Sequence, residues 1–145
     1  MAKRSGPVYL DTSAVLRATL EAGLTPEIGA RIHAAEALIT SRLSLVESAR
    51  AFHRLRTRAE IPERSLADAE REVEAIWARC DIWELSASVC EAARQVAPAG
   101  RLRTLDALHL ASALLRLMCL HLVALDEHGC TDICTQCQPA LCSIG

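Results

Sequence analysis

A short stretch near the start of the chain, PVYLDTSAVLRATL at residues 7–20, decides the fold. Val8, Tyr9 and Leu10 are apolar and favour extended backbone, so they predict a buried strand. Asp11, Thr12 and Ser13 follow at once, and they open a predicted helix at residues 14–20 with N-cap chemistry at its start. A buried strand that leads directly into a helix is typical of an α/β protein.

The same alternation of strands and helices continues through the chain. We predict further strands at residues 37–40, 82–85 and 122–125, and helices at 14–20, 26–35, 44–58, 62–79, 87–96 and 104–118. Short apolar strands between helices predict an α/β fold with a central parallel sheet of four or five strands, flanked by helices on both faces. We expect one domain over residues 1–145, with a flexible start at 1–6 and an atypical Cys-rich tail at 128–145.

Composition and charge limit the possible functions. The chain has 145 residues, of which 51% are hydrophobic and 23% charged, a composition that excludes disorder. The net charge of −2 excludes a globally basic nucleic-acid binder but allows a local basic patch. The apolar runs are too short for a membrane span, and the first residues lack the apolar region of a signal peptide. We therefore expect a cytoplasmic protein without a membrane partner.

Four acidic residues stand at positions where chemistry is expected: Asp11, Glu47, Asp106 and Asp126. Asp11 and Asp126 each follow a predicted strand, and parallel α/β sheets bind ligands beyond the carboxyl ends of their strands. Asp106 lies in the first turn of a helix of Leu and Ala that we expect to be buried all round, where a carboxylate needs a partner. Glu47 lies in the first predicted turn of its helix.

Each acid alone has a plain structural explanation. Asp11 and Asp126 can cap the helices that follow them, and Asp106 and Glu47 can complement helix dipoles. Glu47 also lies in line with Arg50, Arg54 and Arg58, as in a surface ion pair. As a set, however, converging carboxylates repel one another, and a hard divalent cation such as Mg²⁺ or Mn²⁺ relieves that repulsion.

Four segments in order resemble the PIN domain and, within it, the VapC-type toxins of bacterial toxin–antitoxin pairs. They are VYLDTSA at 8–14, SLVE at 44–47, RLRTLDALHLASA at 101–113 and LVALDE at 122–127. The resemblance implies a metal-dependent endoribonuclease that hydrolyses RNA and inhibits translation. It assigns Asp11, Glu47, Asp106 and Asp126 to catalysis and to binding of Mg²⁺ or Mn²⁺, with Thr12 and Ser13 as polar support. It also implies a small antitoxin partner of the VapB type and a toxin homodimer.

The helix at 44–58 carries a stripe of positive charge. Arg50, Arg54 and Arg58 share one helix face. Beside a metal site this face could bind RNA phosphates through bidentate contacts. A solvated surface explains the same pattern, so the RNA-binding role of these three residues stays open at this point.

The tail departs from the resemblance. Its four cysteines are Cys130, Cys134, Cys137 and Cys142, and only the interval from Cys134 to Cys137 has the spacing of a zinc site. Free thiols on a short helix are the alternative. We expect the tail to contribute neither zinc binding nor catalysis.

Other functions fit the sequence less well. A phosphoaspartyl enzyme with Asp11 as nucleophile needs a lysine near the phosphoryl group, and the only lysine is Lys3. Rossmann and P-loop enzymes need a glycine motif that the chain lacks. A PIN-like module that binds RNA or protein without catalysis is the remaining alternative, because Ala124 stands where many relatives carry Thr or Ser.

Overall fold

The computed structural model describes residues 6–21, 26–98 and 100–125 of the chain. The described strands are β1 (Val8–Tyr9), β2 (Leu38–Ser41) and β3 (Cys80–Trp83). The described helices are α1 (Thr12–Leu20), α2 (Pro26–Ala34), α3 (Arg42–Arg58), α4 (Glu63–Trp77), α5 (Ala87–Gln95) and α6 (Thr104–Leu125). The chain divides after Glu84 into two compact units, the first holding the three strands with α1–α4 and the second holding α5 and α6.

The sheet of the first unit is parallel, with β2 in the centre. Val8 of β1 pairs with Leu38 of β2, and Leu38 pairs in turn with Cys80 of β3. Parallel neighbours need a long crossover connection, which α1 and α2 provide between β1 and β2, and α3 and α4 between β2 and β3. This arrangement confirms the predicted α/β class.

The core of the first unit forms where the helices cover the sheet. Val15 of α1, Phe52 of α3 and Val73 of α4 are buried together with Leu38 of β2. Full burial of such a side chain contributes about 1.5–3 kcal/mol each. Trp77 joins α4 to α3 by donating a buried hydrogen bond of 3.1 Å to Ser48 Oγ.

Two helices of this unit begin where strands end. Asp11 caps α1 just after β1, and Ser41 ends β2 while its hydroxyl accepts a bond of 3.2 Å from the Leu43 N–H at the start of α3. Leu10 extends the pairing of β1, because its N–H donates to Ile39 O at 2.8 Å. The polar residues at these two strand ends therefore lie at the same edge of the sheet.

The second unit corrects one predicted element. Residues 122–125, which we expected to be a strand, form the last turn of α6. Leu and Ala are strong helix formers, and residues 118–122 contain no glycine or proline that would end the helix. Within the described ranges the sheet therefore has three strands.

Helix α6 is also less buried than its composition predicts. It packs against α5, and Ala111, Ser112 and His109 are buried. Leu105 and Met118 nevertheless expose 46% and 61% of their surface, so the expectation of burial all round is wrong. Apolar residues in number do not fix burial, since a helix needs neighbours on every face to be covered.

Most residues at the two ends of the chain lie outside the described ranges. Of the predicted flexible start at 1–6, only Gly6 is described, and the tail at 128–145 lies outside the described residues. Among the helices that the structure describes, none is long and apolar enough to cross a bilayer.

Candidate active site

Asp11 is held firmly at the start of α1. Its Oδ1 accepts a hydrogen bond of 2.8 Å from the Ala14 N–H, and its Oδ2 accepts one of 2.9 Å from Ser13 Oγ. The side chain is half-buried at the sheet edge. Asp11 thus caps the helix, and the same two bonds fix the orientation of its carboxylate.

Glu47 comes from α3 to the start of α1. Thr12 Oγ1, directly after Asp11, donates a hydrogen bond of 2.5 Å to Glu47 Oε2. The Glu47 side chain is half-buried, and Ser44 O lies 3.5 Å from the same hydroxyl. Residues 35 positions apart are therefore joined through one threonine.

The position of Glu47 within its helix differs from the predicted one. Helix α3 begins at Arg42, so Glu47 lies in the second turn rather than the first. Interaction with a helix dipole falls off within the first turn, so the dipole does not account for this residue. The contact with Thr12 is a more direct reason for a carboxylate at this place.

A buried polar network behind these residues was not found by sequence reasoning. Thr40 Oγ1 donates a hydrogen bond of 2.7 Å to Leu10 O and shares one of 2.9 Å with Ser44 Oγ. Thr40 and Ser44 are fully buried. The network ties the end of β1 to the start of α3 and so sets Asp11 and Glu47 in register. The available signal was a lone hydroxyl ending the apolar run at 37–40, since a buried hydroxyl needs a partner.

The other two predicted acids stand apart from this description. Asp106 belongs to the second unit, where it is exposed in the first turn of α6. The expected burial of this carboxylate among apolar residues is therefore wrong. Asp126 lies outside the described residues, and the strand that was expected to precede it is helical. The membership of both acids in the site stays a prediction.

The donor atoms suit a hard cation. Asp11 and Glu47 offer carboxylate oxygens, which are the ligands that Mg²⁺ and Mn²⁺ prefer. Within residues 6–21, 26–98 and 100–125, no three His, Cys, Asp or Glu side chains are grouped closely enough to hold a metal ion. Asp11 and Glu47 therefore have the donor chemistry for a hard cation, and their role in metal binding stays a prediction.

The basic stripe on α3 divides into two kinds of arginine. Arg50, Arg54 and Arg58 are exposed, and Arg54 and Arg58 line a groove with α1. Arg56 instead bonds Glu63 at 3.0 Å and Glu70 at 2.5 Å on α4. The Arg56 guanidinium lowers the pKa of Glu70, since its hydrogen bond favours the ionised carboxylate. Arg56 therefore joins α3 to α4 through two ion pairs.

Comparison with known proteins gives two results. The PIN domain family matches residues 8–128. Two relatives from Mycobacterium tuberculosis, Ribonuclease VapC45 of strain CDC 1551 / Oshkosh and Ribonuclease VapC49 of strain H37Rv, are each 38% identical over 112 residues. The alignments cover 74% of this chain and 74% of each relative.

The chain belongs to the PIN domain family. Within that family it is of the VapC type, as the resemblance of the four segments implied. The matched region runs from β1 to just beyond α6 and includes the positions of all four acids. The family match ends at residue 128, so Cys130 and the later cysteines lie beyond it.

Proposed function

We propose that this protein is a metal-dependent endoribonuclease that hydrolyses RNA phosphodiester bonds. One observation carries the proposal: Thr12 joins Glu47 to the helix start capped by Asp11, at the sheet edge of a PIN domain. Two relatives with the name Ribonuclease VapC support it. In the cell, such an activity would serve as the toxin of a toxin–antitoxin pair and inhibit translation.

Asp11 and Glu47 would hold Mg²⁺ or Mn²⁺, together with Asp106 and Asp126. The ion, when bound, supplies a Lewis acid and lowers the pKa of water for attack on phosphorus. The four carboxylates match the oxygen-ligand chemistry of these cations.

The residues of the first unit would orient the reaction before substrate arrives. Ser13 and the Ala14 N–H fix both oxygens of Asp11, and Thr12 fixes Oε2 of Glu47. Carboxylates held in place need less rearrangement when charge develops on the phosphate oxygens. Thr12 and Ser13 are thus positioning residues in this proposal, while Asp11 and Glu47 bear the negative charge.

RNA would be held mainly by its phosphates. Arg50, Arg54 and Arg58 are exposed and positively charged, and charge-assisted contacts to phosphate dominate the affinity of most such proteins. Few aromatic side chains are available to stack on RNA bases, because the chain has one Tyr, one Phe and two Trp. Phe52 and Trp77 are buried and cannot stack on bases.

Membership in the VapC type also suggests partners. We propose a small antitoxin of the VapB type, which would block the site, and a toxin homodimer. We propose a cytoplasmic location, where RNA and the antitoxin are both present.

A cleavage assay tests the proposed activity. The purified protein should cleave RNA with Mg²⁺ or Mn²⁺, and EDTA should stop it. Asp11→Asn and Glu47→Gln should each lower the rate at least about 100-fold, because each removes a proposed metal ligand. Asp68→Asn is the control, since Asp68 is exposed and pairs with Arg71 on α4. Sequencing of the RNA ends after expression in cells would identify the cleavage site.

Two results would contradict this proposal. Cleavage that survives Asp11→Asn would show that the acids do not perform the chemistry. Tight RNA binding by wild-type protein without metal-dependent cleavage would support the non-catalytic binding module instead.

A further inference from the structure

A groove lies between α1 and α3 in the first unit. Its volume is about 350 Å³. Leu16, Leu20, Leu55 and Ala51 form much of its lining. Its polar lining comes from both helices. Helix α1 provides Ser13 and Arg17, with Glu21 directly after its end, and α3 provides Arg54 and Arg58.

The groove carries positive charge from arginines that have no ion-pair partner among the described residues. Arg17, Arg54 and Arg58 are exposed, and none of them has an ion pair within the part of the chain that the structure describes. Glu21 is the single carboxylate in the lining. Other arginines in this protein are neutralised on the surface, such as Arg42 by Glu84 and Arg71 by Asp68. Three guanidinium groups against one carboxylate favour an anionic occupant.

The groove reaches the acidic site. Ser13 lines the groove and also donates the hydrogen bond that fixes Asp11 Oδ2. On the other wall, Arg54 and Arg58 lie one helical turn apart, a rise of about 6 Å. Two guanidinium groups at that separation can contact neighbouring phosphates of one strand. A chain of phosphates lying in the groove would therefore end beside Asp11.

We propose that this groove holds the phosphodiester backbone of the RNA substrate on one side of the bond that is cut. Arg17, Arg54 and Arg58 contact its phosphates, and the leucine lining packs against sugars. This inference rests on the proposed ribonuclease function, adds Arg17 to the RNA-binding residues, and leaves Arg50 outside the groove.

RNA affinity and its salt dependence test the proposal. The probe is a short fluorescein-labelled single-stranded RNA of mixed sequence, and fluorescence anisotropy gives Kd at several salt concentrations. The titration uses the full chain with Asp11→Asn, which prevents cleavage. The asparagine side chain still caps the start of α1. Cleavage of the same RNA by chains with intact Asp11 is measured in parallel.

We expect Arg54→Gln with Arg58→Gln to raise Kd about tenfold and to reduce the slope of log K against log salt by roughly 1.4, which corresponds to two lost phosphate contacts. Arg17→Gln should reduce the slope by about half as much. Arg54→Lys with Arg58→Lys should restore most of the slope, because lysine keeps the charge.

Arg71→Gln with Arg94→Gln is the matched control. It also removes two positive charges, but both arginines are exposed and paired on their own helices, with Asp68 and Glu91. Its Kd should stay within about twofold of the parent, because neither arginine lines the groove.

The outcomes separate this inference from the proposed function. If wild-type protein cleaves RNA and the Arg54 and Arg58 changes act no more strongly than the control, the groove does not hold the substrate. If those changes weaken RNA binding but wild-type protein cleaves nothing, the groove stands as an RNA site and the ribonuclease proposal fails.

Discussion

Asp11 combines a structural role and a proposed chemical role in one side chain. Asn caps helices as well as Asp does, whereas Ala does not. We therefore expect Asp11→Asn to abolish cleavage while the free energy of unfolding stays near that of wild type. Asp11→Ala should abolish cleavage and also cost about 1 kcal/mol of stability, because the bond to the Ala14 N–H is lost.

Urea unfolding of the two variants measures this difference. Asp68→Ala, in the exposed pair with Arg71, controls for the loss of a carboxylate. Equal destabilisation by Asn and Ala at position 11 would show that charge, rather than capping, holds the start of α1.

Thr12, directly after Asp11, connects that residue to Glu47 through its side-chain hydroxyl. Thr12→Val keeps the shape but removes the hydroxyl that donates to Glu47. We expect the cleavage rate to fall about 10- to 100-fold, as it does when a group that orients a metal ligand is removed. Thr12→Ser should keep most of the rate, because it keeps the donor. A Thr12→Val enzyme with the wild-type rate would remove Thr12 from the site.

Sequence reasoning reached these residues unevenly. Asp11 after an apolar strand is visible from the pattern, since a strand end and a helix start coincide there. The contact of Glu47 is not, because a helical wheel shows which residues share a face but not which neighbour covers it. Thr40 and Ser44 were missed for the same reason: their partner is a backbone carbonyl at Leu10, far away in sequence.

Between elements, the bond from Thr40 to Leu10 O joins β2 to the end of β1. Thr40→Val would leave the buried Leu10 carbonyl and the Ser44 hydroxyl without this partner. A buried polar group left unsatisfied costs about 1–3 kcal/mol, so we expect that loss of stability in urea unfolding.

Thr57→Val is the control for the Thr40 prediction. Thr57 is exposed, and its hydroxyl bonds only its own helix, at His53 O. Its replacement should change stability by less than about 0.5 kcal/mol. A Thr40→Val protein as stable as this control would mean that the network does not hold the two strands together.

The link between α3 and α4 predicts a pH effect. Arg56 lowers the pKa of Glu70, so the folded state favours the ionised carboxylate. Its contribution to stability is present above the usual carboxyl pKa of about 4.3 and is lost as the pH falls through the lowered value. We expect Glu70→Gln to lower Tm at neutral pH, and the difference from wild type to vanish in acid.

Thermal unfolding across a pH series checks this sign. Glu74→Gln is the control, since Glu74 lies on the same helix and is exposed. A Tm difference for Glu70→Gln that persists at the lowest pH would show that the side chain acts through packing rather than charge.

The helices and strands were predicted well where proline or glycine residues mark their borders. Proline marks the predicted helix starts at residues 26 and 62, and proline and glycine at 98–100 mark a predicted helix end; the observed helices begin or end close to these points. The strand at 122–125 was predicted wrongly because no such residue separates it from the helix before it. An apolar run of four residues fits a strand and a helix equally, and only its surroundings decide.

At the scale of the whole molecule, the family match covers both compact units, while the contacts of the site are described in the first one. Asp11 and Glu47 lie in the first unit and Asp106 in the second. Two carboxylates are few for a hard cation that takes about six oxygen ligands, although Mg²⁺ keeps several waters. A role for Asp106 in the same site therefore has a measurable thermodynamic consequence.

A cation that binds only the folded protein should stabilise it by mass action. At a Mg²⁺ or Mn²⁺ concentration tenfold above Kd, we expect a gain of about 1.4 kcal/mol and a higher Tm. The gain should shrink in Asp106→Asn, because one ligand is lost and affinity falls. Asp68→Asn, which removes an exposed carboxylate paired with Arg71, should keep the full gain. Thermal unfolding with and without metal at constant ionic strength separates specific binding from screening. A full gain in Asp106→Asn would remove that residue from the metal site and leave Asp11, Glu47 and Asp126 as its proposed ligands. No gain in wild type would contradict a carboxylate metal site altogether.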